Sequence, residues 1–182
     1  MRRRGSLVMA AAWLVAALAG CAGATAQVHL PAKPAATSAA VIAPATLTPR
    51  QQVVAALGGY VTALGQADKS GNTTAARRLL RPYLEPGRIS GVVQAMSAIW
   101  AKGESFYGAD VLHVSSVTIS AGRAFVHDCD DTSSMGLLNV ATGQIVPGSA
   151  GVPRDNVVTR LNLVAGRWLV QFQLVEDVPC TS

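Results

Sequence analysis

The spacing of hydrophobic residues changes period once along this chain, and the change falls at Gly103. Before it, apolar residues recur every three or four positions, the spacing of one face of a helix. After it they alternate, the spacing of one face of a strand. Thr48-Pro49-Arg50-Gln51 has the residues of a capping box with proline at the first helical position. Val53, Val54, Leu57, Tyr60, Val61 and Leu64 then follow at helical spacing, and Lys69-Ser70-Gly71-Asn72 ends the run. Gly58-Gly59 weakens that helix but lets a neighbour approach closely. A second, short helix is predicted over Thr73 to Leu80, stopped at Arg81-Pro82 because proline restricts the residue before it. A third begins near Pro86. Ile89, Val92, Val93, Met96, Ile99 and Trp100 form its apolar stripe, and Gly103 closes it.

Beyond Gly103, Val111 to Ile119 alternates, with a slip of phase that places a bulge at Ser115-Ser116. Ala121-Gly122 is a turn into a strand from Arg123 to Asp131, with Phe125, His127 and Cys129 on one face. Met135 to Val140 and Gln144 to Val146 read as a hairpin around Ala141-Thr142-Gly143, and Gly148 to Asp155 as a loop. The last hairpin turns at Ala165-Gly166, which pairs Leu163 with Trp168, Leu161 with Val170, Thr159 with Phe172 and Val157 with Leu174. That register makes one face almost wholly apolar and leaves Arg160, Asn162, Gln171 and Gln173 on the other. Helices followed by a bent antiparallel sheet define an α+β domain.

The residues ahead of this domain have a different character. Met1 to Arg4 is basic, Leu7 to Leu18 is apolar but short for a membrane span, and Leu18-Ala19-Gly20-Cys21 follows. This stretch resembles the lipobox of bacterial lipoproteins. The resemblance implies a signal peptide over residues 1–20, a lipid on Cys21, and tethering to the outer face of a cell membrane. Residues 21–47, rich in Ala, Pro and Thr, then form a linker that cannot bury a core. As a flexible coil it reaches about 25–30 Å. The domain occupies residues 48–182.

This reading accounts for the charge. The chain of 182 residues has a formal charge of +5, with 15 Lys and Arg against 10 Asp and Glu. Arg2, Arg3 and Arg4 belong to the leader, so the mature charge is near +2. No basic stripe with interleaved aromatics is present, so nucleic acid is not an expected partner. It also accounts for the cysteines. With Cys21 lipidated, Cys129 and Cys180 remain, and in an oxidising compartment they are expected to form a disulfide.

The order of elements from Thr48 to Cys180 resembles the nuclear transport factor 2-like fold, in which helices pack into a curved, cone-shaped antiparallel sheet. The layout is similar to a group of secreted actinobacterial lipoproteins. The landmarks are the linker, Asp128-Cys129-Asp130-Asp131-Thr132-Ser133, Ala141-Thr142-Gly143, Gly166-Arg167-Trp168-Leu169-Val170 and Pro179-Cys180. The fold hosts dehydratases, isomerases and cyclases, and also non-catalytic parts of transport and secretion machines. Fold alone does not choose among them.

His127-Asp128-Cys129-Asp130-Asp131 is the main concentration of reactive groups. His127 is a candidate base, but alternation sends Asp128 and Asp130 to the opposite face, and the simpler reading has the aspartates solvating a strand end. Calcium is not expected: an EF-hand loop starting at Asp128 would need Gly and Glu where Ser133 and Asn139 stand. His127, Cys129 and Cys180 fall short of a structural zinc set. Trp100, Phe106 and Tyr107 gather at the helix-to-sheet junction and, with His127, are the candidate lining of a pocket. No cofactor is expected. The sequence therefore points to a membrane-anchored, extracytoplasmic binding or interaction module rather than an enzyme. The alternatives are an enzyme or carrier of a small apolar ligand, and an accessory of an envelope secretion or transport assembly with a protein partner.

Overall fold

The computed structural model describes residues 46–178 and Cys180. The leader, Cys21 and the linker up to residue 45 lie outside the described residues, as does Pro179. The compact unit that contains the described residues runs from Pro44 to Ser182.

Three helices lead: α1 (Pro49–Lys69), α2 (Thr73–Leu80) and α3 (Pro86–Trp100). The capping box at the start of α1 forms in both directions: the Gln51 amide N–H donates to Thr48 Oγ1 at 3.3 Å, and the Thr48 N–H donates to Gln51 Oε1 at 2.8 Å. Asn72 caps α2, its Oδ1 accepting from the N–H groups of Thr74 and Ala75. Gly59 admits a neighbour as its sequence suggested. A Cβ there would stand 2.3 Å from the ring of Tyr83.

Six strands follow: β1 (Glu104–Tyr107), β2 (Val114–Ser120), β3 (Arg123–Asp130), β4 (Gly136–Asn139), β5 (Asp155–Val164) and β6 (Arg167–Glu176). The main antiparallel sheet has the order β2-β3-β5-β6, and β1 pairs with β4 in a separate two-stranded sheet. The bulge in β2 lies where the phase slips, between Val114 and Ser116, with the Ser115 hydroxyl donating to the carbonyl of His127. Both tight turns adopt the left-handed backbone that two-residue hairpins need, at Ala121-Gly122 (φ 47° and 72°) and Ala165-Gly166 (φ 48° and 77°). The hairpin expected at 135–146 forms, and Leu138 also bridges to Ile145. The strand β1 that pairs with β4 was not expected.

The last hairpin requires a correction. Leu163 faces Trp168 and Leu161 faces Val170, as the turn dictates, but the register then shifts. Arg160 faces Phe172, Thr159 faces Gln173 and Val157 faces Val175. A bulge at Gln171 absorbs one residue, so every later side chain of β6 changes face. Phe172 joins the outer face with Arg160, and Gln173 comes to the face of Thr159, to whose Oγ1 its amide donates while the residue stays exposed.

The core lies between the helices and one end of the sheet. Val53, Leu57 and Tyr60 of α1, Leu80 of α2, and Val93 and Met96 of α3 pack on Ala124, Val126, Leu161, Trp168 and Val170. Leu57, Leu80, Leu161, Val126 and Val170 are fully buried, so this end is filled with side chains. Burial also pushes the Tyr60 hydroxyl up to about 12, against the opposing effect of Arg88.

Candidate functional site: buried carboxyls at the end of the sheet

Strand β3 carries its polarity inward. Ala124, Val126, Asp128 and Asp130 share the face turned to the interior, and Phe125, His127 and Cys129 share the other. The alternation expected from sequence is therefore correct, but its consequence differs. Asp128 and Asp130 do not solvate a strand end. They are 1% and 4% exposed, as dry as the valine beside them. Pairing sets them against Val157 and Asp155 of β5.

Neither oxygen of Asp128 meets a hydrogen-bond donor, and neither does Oδ1 of Asp130 or Oδ1 of Asp110. The partner available to each of the strand's two carboxyls is the other one, which serves only while one of them carries a proton. Burial is the main reason that Asp130 is pushed up to about 8. A proton shared with Asp128 and the charges of Asp128 and Asp155 add to this, and His113 opposes it. Burial also raises Asp128, with the charge of Asp110 adding and the proton held on Asp130 opposing. Asp110, in the segment ahead of β2, is raised to about 6 by burial and then by Asp130, Asp155 and Asp131.

The rest of the motif builds the turn that closes this end. Asp131 Oδ1 accepts from the N–H of Ser133 at 3.0 Å and from its hydroxyl at 2.6 Å, which holds this exposed carboxyl below its usual value. Thr132 exchanges hydrogen bonds with the backbone of Val152, tying the 148–155 loop to the strand end. Cys129 is bonded to Cys180, with 5.8 Å between their Cα atoms. The disulfide expected from the cysteine count is thus formed. It springs from the residue between the two buried aspartates. Val111 and Asp131 complete the enclosure with a pair of backbone hydrogen bonds of 3.0 and 3.1 Å.

The aromatic candidates lie elsewhere and answer to a residue that the sequence reading passed over. Asp68, at the end of α1, is 2% exposed. Its Oδ1 accepts from Trp100 Nε1 at 3.0 Å, and its Oδ2 accepts from Ser105 Oγ at 2.6 Å and from the Phe106 N–H at 2.8 Å. Trp100 is therefore a donor that fastens α3 to α1, and Phe106 takes part through its backbone. The ring of Tyr107 lies against Gly136, where a Cβ would meet it at 2.8 Å. His127 is half-buried on the outer face of β3, across the sheet from the core that Trp100 joins. The structure does not bring the four candidate pocket residues together. The signal for Asp68 was present, since it stands four residues after Leu64 and extends the apolar stripe of α1.

A surface cleft of about 700 Å³ adjoins the acidic end, lined by His113, Val114, Ser115, Cys129, Asp131, Pro153 and Arg154. It lies against the bulge of β2 and the disulfide rather than in the helix-covered interior. Among the described residues no cluster of His, Cys, Asp and Glu has the arrangement to hold a metal ion.

No family model and no curated protein matches this chain. Solved structures do. The chain resembles the intermembrane space region of the chloroplast protein ARC6 at 14% identity, over 72% of this chain and 98% of that one, with a TM-score of 0.51. It also resembles NTF-2-like proteins of unknown function from Shewanella oneidensis (12% identity, 71% and 100% covered, TM-score 0.44) and Silicibacter pomeroyi (13%, 69% and 93%, TM-score 0.40). The likeness is one of fold. The chain is an α+β domain, three helices packed against antiparallel sheets, with NTF2-like proteins among its structural neighbours.

Proposed function

We propose that this chain is a lipid-anchored extracytoplasmic protein whose domain serves as a non-enzymatic binding or interaction module of the cell envelope. The observation that carries the reading is the use of the cysteines. Cys129 and Cys180 are joined to each other, and of the three cysteines in the chain that leaves Cys21. Cys21 is the residue that the lipobox-like Leu18-Ala19-Gly20 precedes. A disulfide in a domain of this size also suits an oxidising compartment. Two acyl chains on Cys21 would hold the protein at a membrane stably, where one would not.

The placement of the reactive groups supports binding over catalysis. Asp128 and Asp130 are sealed in a dry interior, and His127 lies on the other face of the strand. A general base needs hydrogen-bond reach to its substrate, which the two buried aspartates do not offer, and His127 stands on the far face of the strand from them.

The test is detergent phase partitioning of the protein expressed with its leader in a bacterial host. The native chain is expected in the detergent phase, with a mass increment on the peptide that begins at Cys21. Cys21→Ala is expected to move it to the aqueous phase. Equal partitioning of both forms would defeat the anchoring. Turnover on a dehydratase or isomerase substrate that is lost in Asp128→Asn or His127→Ala would defeat the non-enzymatic reading.

A further inference from the structure

We propose that the Asp128–Asp130 pair is a proton-operated latch on the end of the sheet, closed while the two carboxyls share a proton and loosened when that proton leaves. This inference does not depend on the membrane anchor. A buried carboxylate without a donor is costly, and a second one beside it costs more through repulsion of like charges. Three oxygens of this pair are buried and unpartnered, both of Asp128 and Oδ1 of Asp130. A proton bound between the two carboxyls supplies the missing donor and removes one of the charges. The occupant that the geometry calls for is therefore the proton.

The surroundings work in the same direction. Asp155 faces the pair from β5, Asp110 from the segment ahead of β2, and Asp131 continues the same strand. The opposing group is His113, which lines the adjoining cleft with Arg154 and Asp131. The elements held together here are light ones. Val111 and Asp131 are joined by two backbone hydrogen bonds outside any regular strand, and Thr132 holds the 148–155 loop. Ionisation of the pair pushes charge into a dry space enclosed by these segments. They give way first, while Cys129–Cys180 keeps the strand attached.

The sign follows from where the protons are bound. Asp130 titrates near 8 in the folded chain against 3.8 as an ordinary carboxyl. Between those values the folded state holds a proton that the unfolded state has released, so stability falls as pH rises through this window and levels off above it.

Urea unfolding of the disulfide-bonded protein from pH 4 to pH 9 tests the latch. The wild type is expected to lose midpoint steadily up to about pH 8. Asp130→Asn is expected to remove at least half of that slope and to exceed the wild type at pH 8, because an amide donates to Asp128 without ionising. Equal slopes in the two proteins would overturn the proposal. Should Asp130→Asn fail to fold, carboxyl NMR titration of the wild type decides. Asp128 or Asp130 titrating above pH 6 supports the latch, and both titrating below pH 6 overturns it. Amide protection factors at Val111 and Asp131, corrected for intrinsic exchange, are expected to fall with rising pH before those of the core strands do. A uniform fall would mean that no local latch exists. Calcium chloride that raises the wild-type midpoint at pH 7, but not that of Asp130→Asn, would mark a cation site and overturn the proton assignment.

Discussion

Two buried acidic sites lie in this one domain, and they are solved in opposite ways. Asp68 is surrounded by donors from α3 and β1. Asp128 is equally buried and has none. At Asp68 the carboxyl is met by hydrogen bonds, each worth about 1 kcal/mol net. It ties together the end of α1, the end of α3 and the start of β1. At Asp128 the carboxyls find a donor only in a proton shared between them, and the strand end is otherwise held by a covalent bond from Cys129 and backbone links through Asp131 and Thr132. A buried carboxyl thus stabilises or destabilises according to what its neighbours donate, and burial alone predicts neither.

The comparison can be broken most forcefully at the disulfide. Replacing both Cys129 and Cys180 with alanine opens a loop with a sequence separation of 51 and is expected to cost about 4 kcal/mol by chain entropy. Urea unfolding reads the total. A loss below about 1 kcal/mol would contradict a covalent hold on that end of the sheet. Next in size is Asp68→Ala, expected to cost about 3 kcal/mol because Trp100, Ser105 and the Phe106 N–H lose their common acceptor. The indole fluorescence of Trp100 should change with it. A cost within experimental error of zero would show that water replaces the carboxylate and that Asp68 is not the fastener. The smallest effect sharpens the contrast between buried and exposed polar groups. Thr48→Ala removes a solvent-exposed cap and is expected to cost about 1 kcal/mol. A cost equal to that of Asp68→Ala would mean that burial adds nothing to the Asp68 bonds.

Much of the scaffold could be read from local rules. The three helices start and stop at their capping residues and prolines. The β2 bulge lies at the slip between Val114 and Val117, and both two-residue turns form where Ala-Gly stands. Where the reading failed, a distant contact was decisive. The last hairpin followed its turn for two pairs and then shifted at Gln171, because a bulge is chosen by how β6 packs and not by the loop that starts it. Strand β1 was missed because its four residues gain regularity only by pairing with β4, some thirty positions away.

The sequence by itself determined the three helices, the change of period at Gly103, the two tight turns and the face on which each side chain of β3 lies. Those follow from spacing, turn chemistry and parity, which act over a few residues. Only the tertiary structure decided what the faces meet. Parity put Asp128 and Asp130 opposite His127, but not whether water or protein would cover them. The segment carrying Asp110 and Val111 and the turn at Asp131 enclose that end of the sheet. The cost of a charge there depends on every donor and every carboxyl within a few ångströms, and those come from residues far apart in the chain.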